Sequence, residues 1–148
     1  MMKLYVIDLS VPCSAPAEVA FDVLRDAVGW SKWTAAKTAY LEREGTPAPD
    51  GVGAIRRFKT GPFGSREEVV AYEAPTHFAY ILHSGIPVRD YRADVTITPN
   101  EAGTGCSIAW RSTFHRKQPL TGAATRFMLH RFLLATARNL AKEAEARG

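Results

Sequence analysis

The chain has 148 residues, of which 46% are hydrophobic and 23% are charged. This length and composition predict one folded domain over residues 1–148, and they exclude a disordered, collagen-like or mucin-like chain. The net charge of +4 is a mild excess, and two Lys or Arg residues are adjacent only at Arg56-Arg57 and Arg116-Lys117. Because nucleic-acid-binding domains cluster their basic residues, we expect no nucleic-acid partner.

The start of the chain shows no targeting segment. Asp8 interrupts the apolar residues before they reach the roughly 7–15 residues of a signal-peptide core, and no apolar run approaches the roughly 18 residues of a membrane span. We therefore expect a cytoplasmic protein without a membrane span. Cys13 and Cys106 lack metal-ligand spacing, as do the four histidines, so we expect buried free thiols and neither a metal nor another cofactor.

A strand over residues 3–11 is expected to open the chain, and two short helices follow it. Ser14 is placed to cap the first helix, and Pro16 fits its first turn. Apolar residues recur at helical spacing over residues 17–24, and Gly29 ends that pattern.

Glycine and proline clusters divide the middle of the chain at short intervals, which is typical of an antiparallel meander. The clearest segment alternates, with Trp110 and Phe114 on one face and Arg111 and His115 on the other. One face of the sheet is therefore expected to be buried. The six predicted strands of the meander run near residues 36–43, 53–60, 66–73, 77–84, 88–98 and 104–115.

A long C-terminal helix is predicted from Leu120 to about Ala146, and it is apolar on two sides. Because Arg131 and Arg138 fall within one of these sides, and because an unpaired buried charge is costly, we expect the other side to face inward. The inward side comprises Leu129, Phe132, Leu133, Thr136 and Leu140, and the outward side comprises Ala123, Ala124, Phe127, Leu134 and Ala141.

These elements predict an α+β fold in which a curved, seven-stranded antiparallel sheet packs on the long helix. A straight helix against a curved sheet leaves a gap that becomes an apolar pocket. If the Trp110 face is the concave one, tyrosine, tryptophan and arginine side chains orient an amphipathic ligand there. The predicted ligand-binding residues are Arg56, Phe58, Tyr80, Leu82, Tyr91, Val95, Ile108, Trp110, Ser112, Phe114, Leu129 and Leu133.

The chain resembles the SRPBCC superfamily, whose members are also described as START-like or helix-grip proteins, and within it the polyketide cyclase/dehydrase-like branch. The resemblance rests on residues 14–24 (SAPAEVAFDVL), 30–33 (WSKW), 51–58 (GVGAIRRF) and 67–75 (EEVVAYEAP), and on Tyr80. It covers nearly the whole chain. It implies a helix-grip fold, with the sheet wrapped around the C-terminal helix, that binds a hydrophobic or amphipathic small molecule such as a lipid, polyketide or polycyclic compound.

Three functions follow from these predictions. The first is sequestration of the small molecule, and the second is an aromatase/cyclase that acts on a polyketide in the same cavity. Cyclase chemistry needs a base and an oxyanion donor. Arg56, Tyr80 and Tyr91 are candidate donors, whereas no buried base is evident, so the catalytic residues stay unassigned and binding is favoured. Glu67 or Glu68 forms either an inward or a structural ion pair with Arg56. The third function is an interaction module, or a homodimer, that uses the second apolar side of the helix.

Overall fold

The computed structural model of the protein describes residues 3–117 and 121–148. Strand β1 (Leu4–Cys13) is followed by helix α1 (Ala17–Arg25) and by a 3₁₀ helix (Val28–Lys32). The remaining elements are strands β2 (Thr38–Arg43), β3 (Ile55–Thr60), β4 (Phe63–Glu73), β5 (His77–Ser84), β6 (Val88–Pro99) and β7 (Cys106–Arg116), and helix α2 (Gly122–Arg147).

The seven strands form one sheet in the order β1-β7-β6-β5-β4-β3-β2, and every pair of neighbours is antiparallel. Strands β2 to β7 form the predicted meander, and β1 joins its far edge beside β7. The alternation predicted for β7 is confirmed, because Trp110 and Phe114 are fully buried while Arg111 is exposed. The α+β prediction is therefore confirmed.

The beginning of α1 differs from the prediction. Pro16 is the residue that caps the helix, and its carbonyl accepts hydrogen bonds from the backbone N–H groups of Val19 and Ala20. Ser14 lies two residues further upstream and makes no cap. Its backbone N–H instead donates to Glu145 Oε2 of α2 at 2.9 Å. The prediction that Ser14 caps α1 was wrong because the helix begins only at Ala17.

The tryptophans of the segment 30–33 fill the space between α1 and the sheet. The Trp30 ring stacks on Phe58 of β3, with 4.8 Å between ring centroids, and its indole Nε1–H donates to the Leu24 carbonyl at 2.9 Å. Trp33 packs against Trp30 at 4.7 Å. These contacts fix one wall of the space beneath α2.

Helix α2 packs mainly against β1, α1 and β7. The predicted inward side is confirmed at Leu129, Leu133, Thr136 and Leu140, which are buried, and Arg131 and Arg138 are exposed as expected. Two residues depart from this division: Phe132 is 61% exposed at the edge of the inward side, and Ala141, which was assigned to the outward side, is buried. The predicted helix start at Leu120 lies outside the described residues.

Cys13 and Cys106 lie directly opposite each other on β1 and β7, and both are buried free thiols. Within residues 3–117 and 121–148, no helix has both the length and the apolar character needed to span a bilayer.

Candidate functional site

A cavity of about 570 Å³ lies between the sheet, the segment around the 3₁₀ helix, and α2. This volume falls within the roughly 300–1,000 Å³ that is typical of small-molecule sites. Strands β3 to β7 supply one wall, and α2 supplies the opposite wall through residues between Thr125 and Asn139. Most of the lining side chains are apolar, so the cavity is suited to an apolar ligand body.

The inner part of the cavity is formed by Trp30, Glu67, Tyr80, Tyr91 and Trp110, all of which are buried. Tyr80 packs edge-on against the Trp110 ring at 6.4 Å between centroids and lies 6.2 Å from the Tyr91 ring. The Tyr91 hydroxyl forms a 2.9 Å hydrogen bond with the hydroxyl of Ser112. These rigid rings place two phenolic hydroxyls in an interior whose other side chains, apart from Glu67, are mostly apolar.

Glu67 lines the cavity from β4, and Arg56 lies directly opposite it on β3. Arg56 Nε is 3.5 Å from Glu67 Oε1, which is an ion-pair contact without a hydrogen bond. The guanidinium lies 4.4 Å from the centroid of Trp30, and its Nη1 donates to the Leu24 carbonyl at 3.2 Å. Arg56 is thus held by a tryptophan face and a backbone carbonyl as well as by Glu67.

Burial changes the acid–base properties of this pair. Desolvation raises the pKa of Glu67 to about 7, although the coulombic attraction of Arg56 acts in the opposite direction. Burial also lowers the pKa of Arg56 and raises the pKa of Tyr91 to about 12. The Glu67 carboxyl therefore titrates near neutral pH, whereas the Tyr91 hydroxyl stays protonated there.

The rim of the cavity consists of Phe63, Met128 and Phe132, which are between 61% and 78% exposed. Phe63 lies at the start of β4, and the other two lie in the first half of α2. Phe127, one residue before Met128, is equally exposed but does not line the cavity. The rim thus joins the apolar interior to a larger exposed apolar surface.

The structure divides the twelve predicted ligand-binding residues. Arg56 lies behind Glu67, Ser112 holds Tyr91, and Phe114 stacks on Tyr5 at 5.4 Å between centroids. These three, with Val95 and Ile108, are buried but do not line the cavity. They were predicted as lining residues because strand alternation identifies the inward face of the sheet, but not which part of that face α2 leaves uncovered. The seven that line the cavity are Phe58, Tyr80, Leu82, Tyr91, Trp110, Leu129 and Leu133.

The sequence offered Glu67 or Glu68 as an inward partner of Arg56 without separating the two, and neither was among the predicted ligand-binding residues. In the structure Glu67 lines the cavity, whereas Glu68 points away and contacts His83 Nε2 at 2.9 Å. The signal that separates the two is the register with β3, which places Glu67 opposite the inward Arg56. Of the rim residues, Phe132 was placed on the inward side of the helix by its spacing, whereas Phe63 carried no periodic signal because it lies at the start of β4.

The protein is similar to one family and to several solved structures. A family model described as "Polyketide cyclase / dehydrase and lipid transport" matches residues 6–145. A comparison with curated protein sequences finds no match.

The first structural neighbour is a START superfamily protein from Mycobacterium smegmatis, with a TM-score of 0.82 and 14% identity, covering 97% of this chain and 99% of that chain. Norcoclaurine synthase from Thalictrum flavum, in complex with dopamine and hydroxybenzaldehyde, has a TM-score of 0.77 and 16% identity, covering 99% and 90%. A protein from Thermobifida fusca has a TM-score of 0.75 and 20% identity, covering 94% and 92%. These likenesses confirm the predicted helix-grip fold.

Proposed function

Because the chain belongs to the polyketide cyclase/dehydrase and lipid transport family, we propose that it binds an amphipathic small molecule in the cavity between the sheet and α2. The observation that carries this proposal is the cavity itself, about 570 Å³ with mostly apolar walls and a few buried polar groups at its inner part. Burial of the ligand's apolar body contributes about 25 cal/mol per Å² removed from water. The tyrosines, the tryptophans and Glu67 then select its orientation.

The fold neighbour norcoclaurine synthase was solved with dopamine and hydroxybenzaldehyde. Both are ring compounds with polar substituents, and the cavity of this chain also combines aromatic walls with hydroxyl and carboxyl groups. This similarity supports a ligand with a ring system.

Native mass spectrometry of protein purified from its host is expected to show a co-purifying small molecule.

Titration with Nile red, a neutral apolar dye, measures the affinity of the cavity for an apolar ligand. Leu133→Trp places an indole inside the cavity and is expected to lower dye affinity at least tenfold. Phe127→Trp is the matched control, because it adds the same group on the same helix outside the lining. Equal dye affinity of the two variants would contradict binding in this cavity.

One observation favours a second function, that of an aromatase/cyclase acting on a polyketide. Glu67 supplies the buried carboxyl that titrates near neutral pH, which is the property required of a general base. The base removes a proton from the carbon between two carbonyls, and the resulting enolate carbon attacks a third carbonyl. This new carbon–carbon bond closes the ring, and the alkoxide formed from the third carbonyl takes back the proton held by Glu67. Loss of that hydroxyl with a neighbouring C–H proton, as water, then introduces a double bond. Tyr80 and Tyr91 provide hydroxyl donors for the oxygens that become charged.

Single-turnover measurements with a poly-keto thioester test this second function. Glu67→Gln keeps the shape of the side chain and is expected to lower the rate at least a hundredfold while leaving substrate binding measurable. Tyr91→Phe is expected to lower it by about tenfold or more. An unchanged rate in Glu67→Gln would leave sequestration as the function.

A further inference from the structure

Glu67 is exceptional in the cavity. Among the described residues it is the only lining side chain with a carboxyl, and neither lysine nor arginine lines the cavity. Its side chain is nine-tenths buried, and Oε1 has no hydrogen-bond partner within the part of the chain that the structure describes. A buried carboxyl without full hydrogen bonding is costly. A ligand group that hydrogen-bonds to this buried carboxyl therefore gains more binding free energy than it would with a carboxyl that water already solvates.

Arg56 does not fill this role. Its guanidinium is fixed by the Trp30 ring and by the Leu24 carbonyl, and its Nε stays 3.5 Å from Glu67 Oε1. Arg56 also lies outside the cavity lining, so Glu67 is interposed between the guanidinium and the ligand. The arginine supplies a compensating positive charge from the side of Glu67 that faces away from the cavity. The carboxyl oxygens can therefore still accept a hydrogen bond from a ligand.

The charge balance at this position selects the kind of group that binds. When Glu67 is ionised, the pair with Arg56 is electrically neutral overall, so a cationic group would be drawn to the carboxylate and repelled by the guanidinium. An anionic group would meet the carboxylate first. A neutral hydroxyl donor avoids both penalties and still makes a charge-assisted hydrogen bond, which is about twice as strong as a neutral one.

We propose that Glu67 is the subsite for a neutral hydroxyl group of the ligand, of the phenol or enol class, with the ring system lying between the aromatic walls and α2. This proposal rests on the proposed binding function. The carboxylate form of Glu67 is the form that binds the hydroxyl most tightly.

The groups around Glu67 make its own titration the main source of pH dependence. Burial lowers the pKa of Arg56 on β3, but an arginine side chain stays charged in proteins. Burial raises the pKa values of Tyr80 on β5 and Tyr91 on β6. The lining residues of α2 and those around the 3₁₀ helix carry no ionisable side chain. Between pH 6 and pH 8, Glu67 therefore passes from mostly protonated to mostly ionised, because its pKa is about 7.

Binding of naphthalene, 2-naphthol and 2-naphthylmethylamine to the whole protein tests the proposal, with quenching of tryptophan fluorescence as the readout. Naphthalene measures the apolar cavity alone, 2-naphthol adds a neutral hydroxyl, and the amine adds a cation. At pH 8 the wild type is expected to prefer 2-naphthol over naphthalene by about tenfold, and at pH 6 by only about twofold. In Glu67→Gln the preference is expected to be about twofold at both pH values.

The outcomes separate the two proposals. If neither naphthalene nor 2-naphthol binds, the binding function itself fails. If both bind with equal affinity at both pH values, the cavity binds ligands but the hydroxyl subsite is wrong. Tighter binding of the amine than of 2-naphthol also overturns the subsite. The wild-type pH comparison decides the question by itself if Glu67→Gln does not fold.

Discussion

The two halves of α2 meet the rest of the molecule in different ways. In the second half, Ala137, Leu140, Ala141 and Ala144 are buried away from the cavity, and the Ala141 carbonyl accepts a hydrogen bond from Cys13 Sγ of β1 at 3.8 Å. In the first half, Leu129 and Leu133 face inward over the cavity, whereas Phe127, Met128 and Phe132 are exposed. One continuous helix therefore packs into the solid core at its C-terminal end and forms one wall of the cavity nearer its N-terminal end.

Side-chain size accounts for part of this difference. Three of the four buried residues named in the second half are alanines, which let the helix axis approach its neighbours closely. The first half carries leucine, methionine and phenylalanine, and the aromatic pair Trp30 and Trp110 faces it from the opposite wall. The packed end is thus expected to carry stability, and the open end ligand binding.

The largest expected effect is on stability at the packed end. Leu140 is fully buried, so Leu140→Ala is expected to lower the free energy of unfolding by about 3–4 kcal/mol, through lost contacts and the cavity left behind. Leu133→Ala removes the same atoms from a side chain that already borders a cavity, so about 1–2 kcal/mol is expected. Urea unfolding followed by circular dichroism measures both. Equal losses would show that the two halves are packed alike.

The second effect concerns the inner part of the cavity and depends on pH. The folded-state pKa of Glu67 is about 7, against 4.5 for the ordinary carboxyl. Between these values the folded state binds more protons than the unfolded state, so the free energy of unfolding falls as pH rises. The stability present below pH 4.5 is lost as pH passes through 7, and about 2–3 kcal/mol of difference is expected between pH 5 and pH 8.

Urea unfolding of the wild type and Glu67→Gln at pH 5 and pH 8 measures this contribution. The variant lacks the titrating carboxyl, so its stability relative to the wild type is expected to be higher at pH 8 than at pH 5. Other groups titrate in both proteins and cancel in the comparison. A difference that does not change with pH would mean that Glu67 has an ordinary pKa and is hydrated.

The sequence predicted the packed core of the molecule better than it predicted the cavity. Strand alternation identified the buried face of β7, and the arginines of α2 identified its inward side, because both signals reflect the average environment of a whole element. The gap itself depends on where along that face the helix stands away from the sheet. Val95 and Ile108 therefore looked like Trp110 in the sequence, although only Trp110 lines the cavity.

Glu67 shows a second limit of what can be predicted from the sequence. Its pKa arises from desolvation by residues of several strands and from an arginine eleven positions earlier in the chain. Register shifts in β4 on both sides of the Glu67–Val69 segment also make a simple count of alternating faces unreliable there. A carboxyl with a raised pKa in the cavity could be recognised only after the strands were paired.

The smallest expected effect distinguishes the rim from the exposed surface beside it. Phe132 and Phe127 are 61% and 63% exposed on the same helix, but only Phe132 lines the cavity. Phe132→Ala is expected to weaken Nile red binding about threefold to tenfold, because part of the apolar wall over the ligand is removed. Phe127→Ala is expected to leave the affinity unchanged. Both variants are expected to keep the molecular mass of the wild type in sedimentation equilibrium, and a lower mass in either would show instead that this apolar side of α2 joins two copies of the chain.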